Sequence, residues 1–261
     1  MLSLTRALAT SGTAGEALPT VFHKLDQAGI RLRRGQLAML ASAPNSGKSL
    51  LALLMAIRMN VPTLYFSADT DAHDTIIRSA AHLTGQTMDE VERGMDVAED
   101  WYLDRLTQLD HIRFCFDPSP TVEDIDLEIR AYVEVMGELP ALIVVDNLIN
   151  VQCNDGDEFR GLRLVMQDLH HIARTTGSCV LVLHHVTGEF DGSAEPPPRR
   201  ALHGKVSHLP ELILTLAKNG EFIGLACVKN RSGPADPQAK QSIWLNADYA
   251  RVSVTEGHGV G

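Results

Sequence analysis

The chain has 261 residues, room for one large α/β domain with short extensions. Hydrophobic residues make up 44% and charged residues 21%, ordinary values for a globular protein, while the 5% of aromatic residues leaves no obvious platform for stacking bases. Lys and Arg number 23 against 33 Asp and Glu, a net charge of −10, which argues against a basic outer face coating duplex DNA but leaves room for a small basic site inside an acidic particle.

Residues 1–20 read as a short helix followed by a Gly/Ala/Thr/Pro stretch, an arm or linker ahead of a domain spanning 21–261. Val21 to Arg34 leads to a turn at Arg34-Gly35-Gln36, after which strands and helices alternate. Strands are predicted over Leu37–Ser42, Thr63–Ser67, Ile112–Phe116, Ala141–Asp146 and Ser178–His184. Helices are predicted over Lys48–Met59, Ala72–Thr84, Val122–Met136 and Glu158–Thr176, the last with Asp155 and Asp157 as capping residues. Strands apolar on both faces belong in a parallel sheet covered by helices, so a doubly wound α/β fold is expected. The segment 187–203 carries three consecutive prolines and reads as a long loop. Beyond residue 204 the pattern changes to strands Glu211–Ala217, Phe222–Lys229 and Ser242–Asn246. Asn219-Gly220 is a hairpin signal, so the C-terminal strands are expected to be antiparallel.

Cys115, Cys153, Cys179 and Cys227 form no CxxC pair and read as free thiols of a reducing compartment. No apolar stretch is long enough to span a membrane, and the N-terminus lacks the apolar core of a signal peptide. The sequence therefore predicts a cytoplasmic protein without membrane partners.

The chemistry concentrates in Ala43-Pro44-Asn45-Ser46-Gly47-Lys48-Ser49-Leu50. A phosphate loop normally begins with Gly where this chain has Ser42, but Gly47, Lys48 and Ser49 hold their positions between a strand and a helix. Gly47 lets the backbone curl so that successive N–H groups face phosphate oxygens, and the helix N-terminus adds partial positive charge. Lys48 is expected to reach the β- and γ-phosphates, and Ser49 to ligate Mg²⁺. Asp146, ending an apolar strand, is the second expected magnesium group; alone such a strand end would read as a turn cap, and the presence of Lys48 favours the magnesium role. Asp69, after Thr63–Ser67, is a candidate general base. Its neighbours Asp71 and Asp74 suit a helix N-terminus, although the run from Asp69 to Asp74 with His73 also admits a loose metal cluster. His184 and His185 point opposite ways on a strand, so one can face a nucleotide and the other is structural. Lys229 and Arg231 place two cations on one side of a strand, either as a clamp on phosphate charge or as solvated surface groups.

In this order the motifs resemble the ATPase domain of DnaB-type replicative helicases and their small phage and plasmid relatives, in the RecA-like superfamily. The likeness runs from about Thr20 to the C-terminus. That family commonly lacks the first loop glycine and has Pro two residues later, as in Ser42-Ala43-Pro44. Its FSxE segment corresponds to Phe66-Ser67-Ala68-Asp69, with Asp in place of the usual catalytic Glu, and its strand-ending Gln corresponds to His185. Its KxRxGP segment matches Lys229, Arg231, Gly233 and Pro234, which implies that Lys229 and Arg231 act on the nucleotide of a neighbouring subunit. The stretch 199–208 resembles the family's DNA-facing loop and makes Arg199, Arg200 and Lys205 the DNA-contact candidates. The resemblance implies an ATP- and Mg²⁺-dependent single-stranded-DNA translocase or helicase. It implies a homo-oligomer, a hexameric ring around the strand, with replication or recombination proteins as partners. By this resemblance the family's primase-interaction domain is expected to be missing, and the arm over 1–20 is expected to be its linker helix, packed on the next subunit.

Three other readings compete. A RecA-like strand-annealing ATPase would use ATP as an assembly switch. A structure-specific nuclease would use the 69–74 run as its metal site. A regulatory ATPase would have no DNA partner, and the Lys229–Pro234 match argues against it.

Overall fold

The computed structural model of the protein describes residues 15–153 and 157–257, apart from the side chains of Glu158 and Lys205. In chain order the elements are α1 (His23–Gln27), β1 (Leu37–Ser42), α2 (Lys48–Met59), β2 (Thr63–Ser67), α3 (Ala72–Thr84), α4 (Met88–Leu106), β3 (Ile112–Cys115), α5 (Val122–Met136), β4 (Leu142–Asp146), α6 (Glu158–Thr176), β5 (Cys179–His185), β6 (Leu212–Asn219), β7 (Phe222–Asn230), β8 (Ile243–Asp248) and β9 (Ser253–Thr255). They build one nine-stranded sheet in the order β3-β2-β4-β5-β1-β6-β7-β8-β9. Neighbours from β3 through to β6 are parallel, and the β6–β7, β7–β8 and β8–β9 pairs are antiparallel. This is a RecA-like α/β sheet with an antiparallel C-terminal edge.

The central strands are apolar at every position because both faces are covered. Ala38 and Leu40 of β1, Leu142 and Val144 of β4, and Leu181 and Leu183 of β5 pack with Leu51 and Leu54 of α2. Their neighbours Met39, Ile143 and Val182 turn to the other face and pack with Ile125 and Ile129 of α5 and with Val165, Met166 and Leu169 of α6. Burying a Leu, Ile or Val side chain contributes about 1.5–3 kcal/mol, so two such layers hold the sheet from both sides.

Caps set the helix starts. Asp71 accepts the Asp74 N–H at 2.8 Å to open α3, and Thr121 and Asp124 form a capping box on α5. Asp157 accepts the Arg160 N–H at 3.1 Å ahead of α6, whereas the other expected cap, Asp155, lies outside the described residues.

The structure departs from the sequence reading in several places. Helix α4 was not expected. It buries only Val91 and Tyr102 and bends at Ala98, so it has little apolar periodicity; the Thr87–Glu90 capping box starts it. Strand β9 is three residues long and exists through its pairing with β8. The expected helix near the N-terminus lies outside the described residues. The described end of the arm belongs to the core, since Ala17 bridges Arg33 and Leu18 is buried. The 187–203 loop contains two short 3-10 turns, Gly188–Phe190 and Arg199–Ala201. The hairpin at Asn219-Gly220 forms, with Asn219 opposite Phe222. The four cysteines are free; Cys153 is exposed and Cys179 buried. No helix among the described residues is long and apolar enough to cross a membrane.

Candidate functional site: a phosphate cleft at the C-terminal edge of the sheet

Strands β1, β2, β4 and β5 end side by side: Ser42 pairs with His185 and Ser67 with Asp146. Parallel strands deliver the loops that follow them to one edge, the usual place for a ligand in an α/β sheet. The loop after β1 turns through left-handed backbone at Asn45 (φ 58°) and Gly47 (φ 92°) before α2 begins. Gly47 is the N-cap of α2 and has no side chain to satisfy the first N–H groups of the helix, which are therefore left to an anionic ligand. The resulting cleft is lined by Pro44, Asn45, Gly47, Lys48, Ser49, Leu50, Asp69, Arg78, His185 and Tyr249 among others. Ala43 and Ser46 are buried within the loop.

The period of two decides which side chains reach this cleft. Leu142 and Val144 face α2, so Asp146 does as well; Leu183 faces α2, and so does His185. His184 turns to the α6 face, where it is fully buried with Nε2 at 2.9 Å from the His203 carbonyl. The histidine pair thus divides into one cleft residue and one structural residue.

Lys48 and Asp146 are both buried. Burial is the main influence on each: it pushes the Lys48 pKa down, against the pull of Asp146 and Asp69, and the Asp146 pKa up, against a hydrogen bond from Ser49 and the charge of Lys48. Tyr65 donates to Asp146 Oδ2 at 3.3 Å. Asp146 Oδ1 is buried without a well-aligned protein partner among the described residues, although the Ser49 hydroxyl lies close enough to hold the carboxyl pKa down. A hydroxyl beside a buried carboxylate with an unsatisfied oxygen is an all-oxygen donor set, which fits a magnesium ion that keeps most of its waters. Burial also lowers the His185 pKa, with Lys48 adding to the effect.

Asp69 is exposed at the cleft and accepts a hydrogen bond from Asn147 Nδ2. Asp71 and Asp74 are occupied at the start of α3, and no group of three or more metal-ligating side chains occurs among the described residues. The metal-cluster reading of 69–74 therefore has no geometry behind it.

Lys229 and Arg231 lie elsewhere. Glu211, just before β6, accepts the Leu37 N–H through Oε2 at 3.0 Å, and its carbonyl accepts the Arg231 N–H at 2.9 Å. Both contacts are at the start of β1, while Lys48 follows the end of that strand. Six strand residues span about 17 Å, so Arg231 sits at the opposite end of the sheet from its own phosphate loop. Its guanidinium lies 3.5 Å from Glu211 Oε1. Lys229 Nζ donates to the Ser207 and His208 carbonyls, each at 2.8 Å. Burial, then the neighbouring Arg231 and Arg199 charges, lower its pKa to about 8. Arg199, expected on DNA, thus lies near the Lys229–Arg231 pair. Arg200 stands over the Phe190 ring with its carbon 5.7 Å from the centroid, and the Lys205 side chain lies outside the described residues.

Three cleft residues were missed from sequence. Asn147 carried no signal beyond following Asp146. Arg78, 3.3 Å from the Thr70 hydroxyl, could have been found as the partner of Asp74 one turn earlier on a helix. Tyr249 reaches the phosphate loop only because β8 folds back on β7: a Cβ on Gly47 would meet its ring at 3.2 Å.

Comparison with known proteins gives the family and the fold. The family described as DnaB-like helicase C terminal domain matches residues 17–201. The Gene 65 protein of Mycobacterium phage L5 is 40% identical over 245 residues, covering 90% of this chain and 91% of its own. A solved DnaB-like replicative helicase, described with its interactions with primase, superposes with a TM-score of 0.80 at 16% identity, over 98% of this chain and 67% of its own. A KaiC-like protein from Pyrococcus horikoshii superposes less well, with a TM-score of 0.62 at 14% identity over 93% of this chain and 97% of its own. With a family match over residues 17–201 and a relative 40% identical over most of both chains, the chain belongs to the DnaB-like helicase C-terminal domain family.

Proposed function

We propose that this protein is an ATP-driven motor that moves along single-stranded DNA and separates strands, working as a ring of identical subunits, a hexamer, in the cytoplasm during replication. The observation that carries the proposal is the division of the machinery between the two ends of one sheet. Lys48, Ser49, Asp69 and His185 line a cleft at one end, with Asp146 in the small pocket that adjoins it at Ser49, while Lys229 and Arg231 stand at the other, beside the start of β1. Such a subunit completes its site when the cations of a neighbour reach its cleft.

In this reading the backbone N–H groups of residues 43–50 cradle the phosphates of ATP, and Lys48 neutralises charge on the β- and γ-phosphates. Ser49 and Asp146 would hold Mg²⁺, which supplies further neutralisation of phosphate charge. Asp69 orients and deprotonates the attacking water. His185 is placed to register the γ-phosphate and pass its loss to the segment after β5. Arg231, with Lys229, stabilises the charge of the transferring phosphoryl group from the next subunit. Arg199, Arg200 and Lys205 contribute phosphate contacts to DNA, and ring symmetry multiplies a few such cations into a basic channel inside an acidic particle. The motor domain spans residues 21–261 together with the end of the arm over 15–20, which is tied to the 32–34 segment of the same subunit.

The test is strand separation on a forked duplex with one labelled strand, in ATP and Mg²⁺, read on native and denaturing gels beside Lys48→Ala. Intact displaced strand that depends on ATP and on Lys48 is expected. Displacement that persists in Lys48→Ala, or shortened strands on the denaturing gel, would rule the motor reading out.

A further inference from the structure

Asn147 is 1% exposed and follows directly on Asp146, yet the roles proposed above do not use it. Its Oδ1 accepts the backbone N–H of Ile149 at 3.1 Å. A backbone N–H can only donate, so this contact fixes which end of the amide is the oxygen. The NH₂ end then faces two acceptors, Asp69 Oδ2 and His185 Nε2, the latter at 3.4 Å. An amide nitrogen carries two hydrogens, one for each. His185 therefore presents a lone pair at Nε2 and holds its proton on Nδ1, which is buried and has no partner among the described residues.

The two residues joined in this way have different attachments. Asp69 is exposed on the loop between β2 and α3, where packing does not fix its rotamer. His185 ends β5 and leads into the segment 187–203, which is tied back by the bridge between Val186 and Leu202 and by the Thr187 N–H to the Ala201 carbonyl at 2.8 Å. A displacement of that segment that carried His185 with it would take one acceptor from the amide.

We infer that Asn147 is a positioning residue that couples the segment 187–203, which carries the proposed DNA contacts Arg199 and Arg200, to the general base: its amide holds Asp69 in the water-activating position while His185 is in place. The inference rests on the reading of the cleft as an ATP-hydrolysing site with Asp69 as base. Asn147 itself acts through its two neighbours. A base misplaced by about 1 Å loses on the order of 10²-fold in rate while substrate binding is spared.

The experiment measures steady-state ATP hydrolysis of the full chain with and without oligo(dT), and affinity for a fluorescent ATP analogue. Wild type is compared with Asn147→Asp, Asn147→Ala, His185→Ala, the Asn147→Ala/His185→Ala double variant and Lys48→Ala. Asn147→Asp keeps the acceptor for Ile149 and nearly the same volume but loses both donors, so it tests the role even where Asn147→Ala fails to fold. The expected result is a kcat lower by about 10- to 100-fold in both Asn147 variants, with KM and analogue affinity within about threefold of wild type. Stimulation by oligo(dT) falls to about one in Asn147→Ala and His185→Ala, and the double variant is no worse than the poorer single one, as expected for residues acting as one unit. Wild-type kcat and stimulation in the Asn147 variants, or losses that add independently in the double variant, overturn the coupling role. If wild-type hydrolysis does not depend on Lys48, the reading of the whole cleft fails; if it does and the Asn147 variants behave as wild type, only the inference fails.

Discussion

The guanidinium of Arg231 lies 3.5 Å from Glu211 Oε1, at the end of the sheet where β1 starts, whereas Lys48 opens α2 beyond the end where β1 stops. An exposed cation held by a buried carboxylate points away from its own subunit's chemistry. Arg231→Ala is therefore expected to lower turnover by about 10³-fold, the scale of an arginine finger, while nucleotide affinity stays within about threefold. Isothermal titration beside steady-state hydrolysis separates the two quantities. A large loss of affinity with normal turnover per bound nucleotide contradicts the assignment.

Gly47 has φ of 92°, and a Cβ there would meet the Tyr249 ring at 3.2 Å. Gly47→Ala combines backbone strain of about 1–3 kcal/mol with that contact. Nucleotide affinity is expected to fall at least tenfold, together with a lower melting temperature. Adding Tyr249→Ala relieves only the contact, so binding is not restored; full restoration would show that the backbone conformation is unimportant.

His184 gives a pH dependence of defined sign. Burial pushes its pKa down to about 4, opposed by the His203 carbonyl and helped by the charges of His203, His185 and Lys48. The folded-state value is below the unfolded one, so between pH 6.5 and 4 the unfolded chain binds more protons. This contribution, about 3 kcal/mol, is complete above pH 6.5 and is lost as the pH falls towards 4. Melting temperatures of His184→Gln are expected to depend less steeply on pH between 6.5 and 5 than those of wild type. Equal slopes would contradict a buried neutral imidazole.

Arg199 and Arg200 are the described cations proposed for DNA, and both are exposed. Each replacement by Ala is expected to weaken oligo(dT) binding and to reduce the slope of log affinity against log salt by about 0.7 for each phosphate no longer neutralised. Anisotropy titrations at several salt concentrations measure this. Because Arg199 lies near Lys229, its variant is also expected to lower turnover, whereas Arg200→Ala is not. An unchanged salt slope in both variants removes them from the DNA path.

The sequence was most informative where local pattern and tertiary role coincide. The apolar runs of β1, β4 and β5 match strands covered on both faces, and Gly47-Lys48-Ser49 falls where a strand meets a helix. Helix α4 was illegible because it is largely exposed and starts from a capping box rather than an apolar stripe. Tyr249 and Asn147 were illegible for another reason: one reaches the phosphate loop through antiparallel pairing at the far edge of the sheet, the other through hydrogen bonds to residues 78 and 38 positions away. Long-range geometry of this kind has no period to read.

The claim that each site is shared between two subunits is tested most directly by mixing Lys48→Ala and Arg231→Ala proteins and measuring oligo(dT)-stimulated hydrolysis. Each protein alone is expected to be inactive. In mixed rings, about a quarter of the interfaces pair an intact Lys48 with an intact Arg231 from the neighbour by chance, and hydrolysis returns in proportion. If subunits exchange, as labelled copies can verify, and activity stays at the level of the separate proteins, Arg231 does not act across an interface and the division of the site between two ends of the sheet has no catalytic meaning.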